Sequence, residues 1–185
     1  EHSPVSPGAN HNASGVGTLL ALAERLSALP LAHTQVRLLA TGCRETGGDG
    51  IRHFIKTYRA RPDNVTFIAL EGVGAGEHVV YLTGEGNLWH TPYSRQAIEI
   101  ANRAAEHCRE QGLSIQTGRH RGTPTEIGIL VRYGFQGLGV NAWLADNPGT
   151  AHRRQTDDVP DRLQSQTLAH THNFVWTLLQ EIDQE

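Results

Sequence analysis

The chain has no methionine, one lysine (Lys56) against fifteen arginines, and two cysteines in 185 residues. Each shortage removes a class of reading. Cys43 and Cys108 form no CxxC pair, which excludes a zinc knuckle or a disulfide-dense scaffold and predicts two buried free thiols. No apolar run approaches the ~20 residues that cross a bilayer, so no membrane span is expected. The formal net charge of -3 leaves no concentration of Lys and Arg for a nucleic-acid backbone, and nucleic acid is not an expected partner. The densest basic stretch, GRHRG around Arg119 to Arg121, reads as a solvated loop. No signal peptide and no initiator methionine are present, so the chain is expected to be a processed or excised piece of something longer. The arginine bias reads as genomic.

What is present is ordinary globular composition, 38% hydrophobic and 19% charged, of a length suited to a single domain over residues 1–185. Helical periodicity over Val16 to Leu29 places Leu19, Leu20, Ala23, Leu26 and Ala28 on one face. QVRLLATG, Gln35 to Gly42, reads as a buried strand closed by glycine. A helix follows through Ile51, Phe54, Ile55 and Tyr58, with Pro62 stopping it. NVTFIALEGVG from Asn64 to Gly74, HVVYLTG and GLGVNAWL read as further strands; Tyr93 to Gln111 and Asp161 to Ile182 read as helices. Strands alternating with helices imply crossover connections, and thus a three-layer α/β/α sandwich around a mainly parallel, mixed sheet.

In such folds ligands sit beyond the carboxyl ends of the strands, where this sequence places GANHNASG, ATGCRETGGDG, ALEGVGAG and a late NPGTAHRRQTDDVPDRL. In order and phrasing these segments resemble the zinc aminopeptidases of the secreted bacterial type, whose relatives include glutaminyl cyclases and the transferrin receptor ectodomain. The resemblance spans nearly the whole chain and implies a zinc-exopeptidase-like fold with the family's first strands and helix missing ahead of residue 1. It implies, too, a zinc-dependent hydrolase acting on a peptide or another small amide, exported or periplasmic. In the family, G-A-[ND]-D-N-x-S-G supplies an aspartate that bridges two zinc ions; His11 stands in its place. G-A-E-E-x-G supplies a general-base glutamate and then a zinc-binding glutamate; here they are Arg44 and Glu45. Glu71 matches the aspartate of N-L-D-M-V-G, and His152, ahead of Thr156, Asp157 and Asp158, matches the last histidine. The family's His-x-Asp is matched only by His2, with Pro4 in place of the aspartate.

The resemblance therefore implies His11, Glu45, His152 and Glu71 as metal ligands, and physical chemistry limits what they can hold. A neutral imidazole offers one lone pair to one metal and cannot bridge as a carboxylate does, so at most one zinc is expected. Arg44 stays protonated at any relevant pH and cannot serve as the base, which leaves Glu71 or Glu126 as substitutes. Weak, altered or lost peptidase activity is the expectation, and the alternative is an inactive binding or scaffolding domain without metal. Two rivals are weaker. GVGAGEH has Glu77 where a dinucleotide fingerprint needs glycine, and Ser14, Asp157 and His172 come without a G-x-S-x-G elbow.

Overall fold

The computed structural model describes residues 5–44, 46–58, 64–122, 124–146, 149, 151–153 and 155–185. A tight turn at Ala9–Ala13 leads into α1 (Ser14–Ala28), followed by α2 (Asp49–Thr57), β1 (Thr66–Leu70), β2 (His78–Glu85) and the two-residue β3 (Thr91–Pro92). Then come α3 (Arg95–Glu110), β4 (Ile115–His120), α4 (Glu126–Arg132), β5 (Gln136–Trp143), one turn at Pro160–Arg162, and α5 (Ser165–Asp183). The sheet runs β1-β5-β2-β3, with β4 also on β2. It is mixed: β1–β5 and β2–β4 are parallel, whereas β2–β5 and β2–β3 are antiparallel.

Strand alternation builds the three layers. On β2, Val79 and Tyr81 point into a core with Leu22 of α1, the alanine face of α3 and Phe174 and Leu178 of α5. Val80 and Leu82 point the other way, onto Ile51 of α2 and Ile127, Ile129 and Leu130 of α4. Helix α3 approaches closely because Ala97, Ala101, Ala104 and Ala105 line its buried face, and Ser94 caps its start by accepting from the Ala97 N–H. Full burial of a side chain such as Phe174 or Leu178 is worth about 1.5–3 kcal/mol.

The sequence reading requires several corrections. Residues 35–42 form no strand, because among the described residues β1 pairs only with β5 and a groove separates its other edge from this segment. The buried stripe of α1 is Ser14, Gly15, Thr18 and Leu22, and Leu20 is exposed. Small residues win there because a Cβ on Gly15 would meet the Leu70 carbonyl and the Asn12 side chain. Cys108 is buried but Cys43 is exposed. GRHRG is not all loop, since Arg119 and His120 close β4. Helix α4 was not anticipated: its seven residues are too few for periodicity to show. The predicted stop at Pro62 lies outside the described residues.

Candidate functional site

The site forms where the turn before α1, the segment after β1 and the loop before α5 meet. Asn10, fully buried, ties them together. Its N–H donates to Asp158 Oδ1 at 2.5 Å, its Nδ2 to the Ala151 carbonyl at 3.0 Å, and its Oδ1 accepts from the Gly74 N–H at 2.8 Å. Asp158, also fully buried, accepts the His11 N–H on Oδ2 at 3.1 Å. Asn12 accepts the Gly72 N–H at 3.0 Å and donates to the Leu70 carbonyl at 2.8 Å, fixing the turn against the end of β1. Ser14 is structural: its hydroxyl donates to the Asn10 carbonyl and accepts from the Val73 N–H. No catalytic role remains for it. A Cβ on Gly74 would strike Ser14 and Leu163, so GVGAG serves close packing.

This framework delivers His11 to Glu71, with Nε2 2.7 Å from Oε1. Two guanidiniums crowd the same oxygen: Nη2 of Arg44 at 3.6 Å and Nη2 of Arg153 at 3.8 Å. Each arginine follows a non-glycine residue in the left-handed region, Cys43 at φ 60° and His152 at φ 59°. That conformation costs about 1 kcal/mol or more per residue, a strain typical of residues held for a site's sake. Burial raises the Glu71 carboxyl, but the His11 hydrogen bond and the charges of Arg44, His11 and Arg153 outweigh it and hold the pKa down at about 2. Glu126 moves the other way. Burial pushes its carboxyl up, against the Thr41 hydroxyl that donates to it at 2.6 Å and the charge of Arg44.

The structure thus brings together His11, Glu71 and Arg44, with Glu126 close by. His152 is turned to Asp157, its Nδ1 2.9 Å from Oδ2. Glu45 and His2 lie outside the described residues. Sequence reasoning missed Arg153, Asn10 and the anchoring role of Asp158; the double arginine of HRRQ beside His152 was the available signal.

Known structures share this fold. The zinc aminopeptidase of Bacillus subtilis superposes with a TM-score of 0.76 at 20% identity, over 96% of this chain and 43% of its own. The LapA aminopeptidase of Legionella pneumophila gives 0.78 at 12%, over 97% and 48%. The glutaminyl cyclase of Porphyromonas gingivalis gives 0.66 at 15%, over 96% and 64%. The chain therefore spans less than half the length of those two aminopeptidases. No curated protein sequence matches it. The domain is of the zinc-exopeptidase class in fold. Residues 1–179 match the model of peptidase family M28, and the chain belongs to that family.

Zinc is the metal this family implies, and the described donors do not fit it. Among the described residues no three His, Cys, Asp or Glu side chains converge on a point that could hold a metal. The Glu71 oxygen that would bind is hydrogen-bonded to His11 and flanked by two permanent cations, which oppose an arriving dication. His152 sets Nδ1 on the Asp157 carboxylate, the bearing of a metal-binding imidazole.

Proposed function

We propose that this M28 domain retains the peptidase fold without metal-dependent hydrolysis and acts by binding polypeptide. One observation carries the reading: the Glu71 carboxylate is neutralised by Arg44, Arg153 and His11, the work a metal ion would otherwise do. The motif position of the general base is held by Arg44 as well, and a guanidinium cannot take a proton. The aminopeptidases that share the fold support peptide as the ligand class.

A second reading, a hydrolase holding one zinc, is favoured by the His152–Asp157 pair and by Glu126, whose raised carboxyl suits a base. Turnover of aminoacyl p-nitroanilides, with and without added zinc, separates the two. The binding reading expects no zinc-dependent rate. Zinc-dependent turnover abolished by Glu126→Gln would establish the second reading.

A further inference from the structure

The turn that joins β2 to β3 carries a surface with no part in the site around Glu71. Strand β3 folds back on β2, with Thr91 opposite Glu85 and Pro92 opposite Gly84, so residues 86–90, Gly-Asn-Leu-Trp-His, form the tip between them. Leu88 and Trp89 stand on this tip at 92% and 86% exposure, the two most exposed large apolar side chains among the described residues.

The tip is braced from below by the end of β4. The Gly86 N–H donates to the His120 carbonyl at 3.0 Å, and Nε and Nη2 of Arg119 donate to the Gly86 carbonyl at 3.3 and 3.0 Å. The Gly122 N–H donates to Asn87 Oδ1 at 3.0 Å. Gly86, at φ 119°, turns the chain so tightly that a Cβ there would strike the Trp89 carbonyl, and the His90 ring lies over Gly84. Single exposed apolar residues need no explanation, but an adjacent leucine and tryptophan held out by a fixed turn are preorganised for contact.

Charge and shape select what is contacted. The same hydrogen bonds that brace the tip bring exposed Arg119 and Arg121 beneath it. No acidic residue occurs in 86–92 or in 115–124. Glu85, just before the turn, is turned inward to Thr125, and Glu99, the first acid after it, is paired with Arg95. In a chain of net charge -3 the collar of the tip is thus a local cationic excess. The apolar pair stands on a convex tip and not in a recess, which suits entry into a soft phase. Tryptophan favours the boundary between water and acyl chains, and arginines set back from the tip would stand level with anionic head groups.

We propose that residues 86–90 form an interfacial anchor, which inserts Leu88 and Trp89 into an anionic lipid surface while Arg119 and Arg121 face its head groups. The probe is co-sedimentation with vesicles of phosphatidylcholine alone and of phosphatidylcholine and phosphatidylglycerol in equal parts. The chain should partition onto the mixed vesicles, prefer them to the neutral ones, and leave them as salt is raised. Leu88→Ser with Trp89→Ser should weaken partition by about tenfold or more, and Arg121→Gln by about fivefold. Both variants should unfold in urea as wild type does, since these side chains are exposed. Brominated acyl chains should quench the tryptophan emission of wild type; Trp89→Phe should keep the affinity and lose the quenching, because Trp143 and Trp176 pack in the fold. No partition onto the mixed vesicles, or partition untouched by the double serine variant, would overturn the proposal. Equal affinity for the two kinds of vesicle would overturn the anionic surface. Self-association without lipid that Trp89→Ser abolishes would assign the tip to a second copy of this chain and overturn it too.

Discussion

Glu71 and Glu85 each carry a carboxylate inward at the carboxyl end of a strand, and the molecule neutralises them by opposite means. Glu85, 3% exposed, is held by the Thr125 N–H and hydroxyl, both at 2.8 Å, with the Tyr93 hydroxyl at 3.2 Å. Thr125 in turn caps α4, and a Cβ on Gly128 would overlap the Glu85 carboxylate. Burial is the first cause that pushes the Tyr93 phenol up; its Thr125 hydrogen bond opposes this, and the Glu85 charge adds to it. Arg132 is the only cation recorded on Glu85, at 3.6 Å from Oε1 among the described residues. Glu71 instead relies on side chains from two loops, Arg44 and Arg153, plus His11. A carboxylate solvated by backbone and hydroxyl donors is part of the scaffold. One neutralised by loop cations can change its partners by single substitutions, as a site inherited from a metal centre would.

Breaking each arrangement should show this difference. The largest effect belongs to Gly128→Ala, which forces a methyl into the Glu85 carboxylate and should cost roughly 4 kcal/mol in urea unfolding. A loss under about 0.5 kcal/mol, the range of ordinary surface substitutions, would mean that α4 shifts freely and the Glu85 network is not rigid. Glu71→Gln comes next. Its carboxyl titrates near 2 in the fold against 4.5 ordinarily, so its contribution is fully present above about pH 4.5 and is lost as pH falls through about 2. The stability gap between wild type and Glu71→Gln should be at most about 3.5 kcal/mol at neutral pH, from about 1.4 kcal/mol per pKa unit, and should close across that acid window. A gap independent of pH would detach Glu71 from its cations.

Arg44→Met should cost about 1 kcal/mol, because the guanidinium is one of three partners and is partly solvated. The smallest effect is Glu126→Gln. A raised carboxyl pKa disfavours the ionised form, so folding should gain a few tenths of a kcal/mol at neutral pH, and the gain should fade as pH drops below the raised value. A loss of stability at pH 7 would show that the Thr41 hydrogen bond outweighs burial.

Much of the fold was legible because its elements announce themselves by period. The alanine face of α3, the apolar run of β5 and the glycine-punctuated strand ends each follow from local physics. Residues 35–42 misled because an apolar, β-branched run reports a fit to a pleated surface, not the presence of a neighbouring strand. The site was half legible. His11, Arg44 and Glu71 could be found because motif phrasing placed them at strand ends, and the structure gathers them. Arg153 showed in the sequence only as part of the double arginine of HRRQ, because its approach to Glu71 depends on the left-handed turn at His152, which the residue pattern does not fix.

The claim that guanidiniums have replaced the metal is tested most directly by elemental analysis for zinc, after the purified chain is equilibrated with zinc and dialysed. Wild type should retain only substoichiometric zinc, and Arg44→Met combined with Arg153→Met, which leaves Glu71 with His11 alone, should retain more. One full equivalent of zinc held by wild type and released only by chelator would contradict the account.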